Sequence, residues 1–432
     1  MRPIRVVSLI VLILSVLFST LIIADSGVGE RSGEFWVDGG ADLRPGNIPN
    51  NSDVAIDSLG RSIIVWNSFI STRSEIYLRI FDVGHNPLGD PVQVNTLVDS
   101  DQDRPRVAVS SDNSFLVIWQ SLETNPNAGG FDNWVRGQAF NADGDPIGDE
   151  QLISSHSSGE IAEISADVAA LRDGGYIVVW KGGDPEGNNV DVWARRIGAD
   201  GTPLDESFVV NSTVDVSEDQ PTVTELSDGG FLVVWARPDI HGRRFMSDGV
   251  PVGEDFEIDT FAGGYEIDPD VVLHSDGRVL VVWSDEDRFG IERFTRARLF
   301  SDELVPQGDD FQVSTLNVNL FAHPRAGNYG SAGFFVVWEG LNSAGDDDDP
   351  NSIQGRIVTG ANQFDGPQFQ VNVWGTGSQE FPSIGGRDDR VGIAWTSDGN
   401  PDYNPDINNE VITGQFWSVC GIFCDGFEVR SN

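Results

Sequence analysis

Seven times along this chain a run of apolar residues ends in tryptophan. The runs are "SIIVW" to Trp66, "FLVIW" to Trp119, "YIVVW" to Trp180, "FLVVW" to Trp235, "VLVVW" to Trp283, "FFVVW" to Trp338 and "VGIAW" to Trp395. Successive tryptophans stand 53, 61, 55, 48, 55 and 57 residues apart. A short strand that is apolar on both faces needs a neighbour on each side. A period near 55 therefore predicts units stacked in an array or a ring.

Each unit carries further marks at fixed offsets. Fourteen residues before the tryptophan stands Pro105, Pro221, Pro269 or Pro324, with Ser52 and Ala166 holding the place in two other units. Pro382 lies thirteen before Trp395. A short strand of small residues follows, then a turn such as "SDGG" or "RDGG", which is a hairpin signal between apolar runs. After the tryptophan comes a variable loop and a third strand, for example "VWARRI" or "TRARLF". A fourth strand, such as "FVV" or "FQV", closes the unit. The step from Arg79 to Val94 is fifteen residues, as it is from Arg195 to Val210, Arg243 to Ile258, Arg298 to Val313 and Arg356 to Val371. Loops vary while strand register is kept, which is how pairing-dominated folds behave.

Four antiparallel strands in each of seven units predict an all-β chain, a seven-bladed β-propeller that follows an N-terminal signal segment. A linear solenoid would show atypical caps, and these units look complete throughout. The first strand should line the central channel, where an edge proline costs no ladder bond and small side chains suit the hub. The tryptophans should pack between blades rather than meet a ligand. The opening "EFWVDG" matches the fourth-strand pattern, so Phe35 to Val37 should complete the seventh blade. "GFEV", Gly426 to Val429, is the competitor for that place.

These units resemble a β-propeller-like repeat of large exported bacterial proteins, which reads approximately "DGGFxVVW", a loop, "RxFDxxGxPxG" and "FxVN". The likeness runs from Phe35 to about Trp417 and is strongest in "FLVVW" with "GRRFMSDGVPVGEDFEI". It implies an exported propeller used for binding or surface structure, with no assigned catalytic residue.

The ends of the chain carry their own signals. "MRPIR" precedes nineteen uncharged residues, Val6 to Ala24. That pattern predicts export through a signal peptide spanning residues 1–24, or retention of the same segment as an anchor. The propeller is expected over 34–419 and a tail over 420–432. In that tail Cys420 and Cys424, the only cysteines, are expected to form a local disulfide in an exported chain. "IFCDGFE" resembles C-terminal tails of the form "IFADGFE" on other exported bacterial proteins. The expected location is secreted, periplasmic or cell-surface, with membrane contact only through an uncleaved leader.

Acids outnumber bases 68 to 27, a formal charge of −41, and Lys181 is the only lysine. A chain this acidic repels nucleic acid and anionic membranes. Its acidic loops are candidates for Ca²⁺, a hard cation that takes carboxylate oxygens. The weak candidates are Asp346, Asp347, Asp348 and Asp349 in "GDDDDP", beside "SDEDR" and "DGNPDYNPDIN". No other cofactor is expected. The five histidines fall in different units without ligand spacing, which reads as scattered surface histidine. The sialidase boxes of other propellers place Asp five residues before Trp. Here Asp228 stands seven before Trp235. The third-strand arginines recur once per blade, as structural pairs with neighbouring acids would.

The function these features favour is a monomeric, non-enzymatic binding or surface module for a glycan or protein ligand. Two alternatives stand beside it: a secreted polysaccharide hydrolase or lyase with its site at the channel mouth, and a calcium-stabilised adhesion protein.

Overall fold

In the computed structural model the chain is described for residues 30–38 and 51–418. Within that range, segments 71–72, 125–130, 156–164, 184–188, 214–216, 261–263, 287–291, 319–321, 332, 342–344, 346–350, 376 and 398–410 are excepted. The described residues form strands and turns only, in seven antiparallel sheets. The chain is a seven-bladed β-propeller.

Blade 4 shows the unit. Its strands are Asp219–Glu225, Phe231–Arg237, Asp239–Phe245 and Pro251–Glu257, hydrogen-bonded in that order. The first hairpin turns on "SDGG". Leu226 N–H donates to Gly230 O at 2.7 Å, Gly229 N–H donates back to Leu226 O at 2.9 Å, and Asp228 Oδ1 accepts from Gly230 N–H at 3.0 Å. Gly229 sits at φ +87°, where a side chain would be strained. This is the three-residue hairpin loop that closes on a left-handed glycine.

The second strands are buried on both faces, and no second-strand tryptophan is more than 1% exposed. Alternate residues feed opposite layers, as the two-residue strand period requires. Ile63 and Val65 of blade 1 pack with Trp119 of blade 2, while Ile64 and Trp66 pack the other way, against Ile412 and Phe416 of blade 7. The same arrangement places Trp180, Trp235, Trp283, Trp338 and Trp395 in the five remaining layers. The core is thus seven inter-blade layers in a closed circle.

The N-terminus closes that circle. Blade 7 consists of Gln379–Arg387, Arg390–Ser397 and Val411–Ser418, and the last of these pairs with Phe35–Trp36 and Glu30–Arg31. Phe35 stacks on Phe416 at 4.9 Å and lies 5.2 Å from Phe81 of blade 1. Glu34 accepts from the Val373 and Trp374 amides of blade 6. Glu150 and Asp255, which immediately precede the fourth-strand core in blades 2 and 4, accept likewise from Thr96 and Ser212. The N-terminal strand therefore sits in fourth-strand register, as "EFWVDG" predicts. The competing Gly426–Val429, the expected signal segment over residues 1–24, and Cys420 and Cys424 lie outside the described residues.

The third-strand arginines hold neighbouring blades together, but through backbone carbonyls and not chiefly through acids. Arg195, Arg243, Arg298 and Arg356 reach the last fourth-strand carbonyl of the preceding blade: Ile153 O at 2.9 Å, Val210 O at 2.8 Å, Ile258 O at 2.5 Å and Val313 O at 2.8 Å. Arg79 does the same to Val37 O at 2.9 Å, across the closure. A guanidinium offers five donors in a rigid fork, so one arginine serves two strands that no ladder joins.

Candidate active site

First strands surround the channel, and the residue just before the proline position lies near the start of each. In blades 1 to 7 these are Asn51, Arg104, Ser165, Gln220, Asp268, His323 and Phe381, and all seven line one cavity of ≈ 340 Å³ at the channel mouth. That volume is in the range of about 300–1,000 Å³ typical of small-ligand sites. In the first hairpin of blade 1, Ser52 pairs with Trp66. The mouth is therefore at the end where chains leave the tryptophan strands, the end from which the variable loops depart.

Five of these residues have left-handed backbone: Arg104 at φ 53°, Gln220 at 49°, Asp268 at 53°, His323 at 44° and Phe381 at 54°. Each precedes a proline. In blades 2, 4, 5 and 7 the pairing register shifts at this point, between Asp103 and Arg106, Asp219 and Thr222, Ile267 and Asp270, and Glu380 and Ser383. A bulge of this kind turns a side chain out of the pleat. Non-glycine residues in this region cost of order 1–3 kcal/mol each, a strain that clusters at functional sites.

The side chains connect around one side of the rim. Gln220 Nε2 donates to Asp268 Oδ1 at 2.5 Å, and Asp268 N–H donates to Gln220 Oε1 at 2.9 Å. His323 Nε2 is 4.0 Å from Asp268 Oδ2, and its Nδ1 is 3.2 Å from Glu339 Oε1. Phe381 N–H donates to the same Glu339 oxygen at 2.6 Å, and the Phe381 ring lies 4.7 Å from the imidazole. Burial alone would push the His323 pKa down; Asp268 and Glu339 outweigh it and hold the imidazole above its ordinary 6.5.

Two residues further along the first strands, Arg106 and Arg325 join Asp167 and Asp270 in the wall. The Asp53, Asp167 and Asp270 carboxylates accept from Val107, Val223 and Ala326 N–H of the following blade at 2.9, 2.9 and 2.8 Å. Burial raises the Asp53 carboxyl to about 6 against the pull of Arg106. Burial and the nearby Arg325 lower the Arg106 pKa. The hub is thus more polar than a lining of small residues would be. Each of these half-buried carboxylates is tied to the next blade's backbone, which offsets its desolvation.

No protein-family model and no curated protein matches this chain. Solved structures match over most of its length. A protein of unknown function from Dyadobacter fermentans superposes with TM-score 0.54 at 10% identity, covering 90% of this chain and 98% of that one. A PL25 ulvan lyase bound to -[GlcA(1-4)Rha3S]- gives 0.56 at 9%, covering 89% and 95%. Another polysaccharide lyase gives 0.52 at 10%, covering 88% and 93%.

The expectation of a non-enzymatic module is corrected by these findings. Two structures that share this frame over nearly their whole length are enzymes. The mouth itself gathers imidazole, guanidinium and carboxyl groups in one cavity, as catalysis needs. The reading of histidines as scattered surface residues also fails at His323, and His274 is buried at 2% exposure. Asp346, Asp347, Asp348 and Asp349 lie outside the described residues. Of "SDEDR", Ser284 to Glu286 extend a second strand, and Asp285 is buried.

Proposed function

We propose that this protein is an exported polysaccharide-degrading enzyme, a lyase acting on a uronate-containing glycan at the channel mouth. The observation that carries the reading is the rim itself, where seven equivalent positions hold seven different side chains, five of them on strained backbone. The fold likeness to two polysaccharide lyases supports it. The apolar leader and the resemblance to exported bacterial repeat proteins support its location. The partner is the glycan, and no nucleic acid is involved.

The chemistry follows from groups already in place. In β-elimination a base removes the proton on the carbon next to the uronate carboxylate. The carbon–oxygen bond at the neighbouring position breaks, and a carbon–carbon double bond forms. The proton is acidic enough only if the carboxylate charge is neutralised. Arg104 and Arg325 supply that charge, and a guanidinium fork matches a carboxylate in two hydrogen bonds. His323 takes the proton. Asp268 and Glu339 orient the ring and strengthen it as a base. The leaving oxygen takes its proton from solvent at the open mouth.

A panel of acidic and neutral polysaccharides, assayed both for new reducing ends and for the ultraviolet absorbance of an unsaturated uronate, tests this. Both signals should rise together on an acidic glycan. Reducing ends without the absorbance would mean hydrolysis, and neither signal on any glycan would remove the enzymatic reading.

A further inference from the structure

Several blade interfaces carry a polar knot at the same three positions. One residue lies at or near the start of the third strand, one follows the fourth strand, and one stands three before the proline position of the next blade. Between blades 1 and 2 these are Glu75, Asn95 and Gln102. Asn95 Oδ1 accepts from Ile76 N–H at 2.8 Å while its amide donates to Glu75. Between blades 3 and 4 they are Asp191, Asn211 and Glu218. Asn211 accepts from Val192 N–H at 2.9 Å and donates to Asp191 Oδ1 at 2.8 Å. Between blades 6 and 7, Asn372 accepts from Ile353 N–H at 2.9 Å and donates to Gln379 Oε1 at 2.6 Å.

Between blades 4 and 5 the three positions are Asp239, Asp259 and Glu266. The backbone role survives, since Ile240 N–H donates to Asp259 Oδ1 at 2.8 Å. The side-chain donor does not, because the asparagine amide has become a second carboxylate. One oxygen from each of the three residues lies within 4.8 Å of the others. Asp259 and Glu266 are only 3% and 2% exposed, and Asp259 Oδ2 and Glu266 Oε2 are buried without a hydrogen-bond partner. Asp285, 5% exposed, faces Glu266 in register on the adjoining strand. Among the described residues no Lys, Arg or His lies within 4.0 Å of the carboxylates of Asp239, Asp259 or Glu266. The guanidinium of Arg296 reaches Asp285 at 3.6 Å and is shared with Asp310 at 2.8 Å.

Buried carboxylates without a counter-charge are among the most expensive groups to place in a protein. Burial, then mutual repulsion, raises Glu266 to about 9; burial chiefly raises Asp259 to about 6. A cation relieves all of them at once. Calcium bonds oxygen at about 2.3–2.6 Å, so its ligand oxygens must lie within about 5 Å of each other. The all-oxygen donor set suits a hard cation, and burial leaves little room for the water shell that Mg²⁺ keeps.

We infer that Asp239, Asp259 and Glu266, with Asp285 in reach, form a calcium site that clamps blade 4 to blade 5. Asp239, only partly buried, is the entry side. None of the four residues lines the cavity at the channel mouth.

The test uses the full chain, treated with chelator and then titrated with Ca²⁺ alone, by calorimetry and thermal melting. Wild type should bind with measurable heat and melt higher with calcium, by mass action. Asp259→Asn restores the amide of blades 1 and 3. It should fold, melt at or above the calcium-free wild type, and lose the calcium-dependent rise. Glu266→Gln, the amide that blades 2 and 7 carry, should do the same and serves if the first variant folds poorly. A calcium response that persists in both variants places the ion elsewhere and overturns the assignment. So does a wild type whose titration heat and melting temperature are both indifferent to calcium.

Discussion

The tryptophan of each second strand and the rim residue near the start of each first strand lie across the same hairpin, yet their chemistries differ completely. Seven tryptophans fill seven equivalent layers, none more than 1% exposed. A few residues toward the axis, seven equivalent positions carry Asn, Arg, Ser, Gln, Asp, His and Phe around one cavity. An interface that must be made seven times from one backbone repeats its side chain. A site used once per molecule cannot, because each direction of approach to a substrate needs its own chemistry. In a repeat protein, recurrence at a position marks the frame, and diversity at an equally regular position marks the site.

This contrast can be broken from either side. The largest effect belongs to the frame. Trp235→Ala should cost about 3–5 kcal/mol in denaturant unfolding, since the cavity lies between two sheets that cannot collapse independently. A cost below about 1 kcal/mol would mean the layers are not the core. Arg298→Met keeps the stem and removes charge-assisted bonds to Ile258 O in blade 4 and to Gly308 O at 3.2 Å in its own blade. It should cost about 1.5–3 kcal/mol. No change would show that the inter-blade staple contributes nothing. At the mouth the sign reverses. Phe381→Gly relaxes a φ of +54° and should change stability little or raise it by about 1 kcal/mol, while impairing turnover. Strong destabilisation there would make the rim part of the frame.

Much of the frame was legible because strand pairing writes itself locally. The Asp-Gly turns, the alternating burial and the fourth-strand pattern of "EFWVDG" all lie within a few residues of one another. The arginine staple was legible as structural but not by partner, since a carbonyl acceptor on the preceding blade leaves no trace in composition. The channel mouth was weighed as a site, but its residues escaped notice for a different reason. His323, Asp268 and Gln220 stand roughly fifty residues apart, and no local motif unites them. Their signal was positional: each precedes the proline fourteen residues before a tryptophan, where a left-handed residue opens a bulge. The acid cluster had a similar sign: "FEID" places Asp259 where blades 1, 3 and 6 carry the asparagine that follows the fourth strand.

The proton chemistry of His323 gives a smaller and sharper effect. As a base it works when neutral, so kcat/KM should rise with pH through a pKa above 6.5. Glu339→Gln removes part of the charge that raises it, and the midpoint should move down. Stability runs the opposite way. A folded pKa above the unfolded 6.5 stabilises the protein below about pH 6.5, and that contribution is lost as pH rises through the folded value. A midpoint unmoved by Glu339→Gln would separate Glu339 from the titration.

The most direct test reads turnover and melting temperature on one preparation of His323→Gln, with the glycan that wild type degrades. Gln keeps polar contacts to its neighbours and cannot serve as a base. Turnover should fall at least about 100-fold while the melting temperature stays within about 2 °C of wild type. Wild-type turnover in this variant, or a loss of activity that only follows a collapse in stability, would contradict the assignment of the channel mouth as the active site.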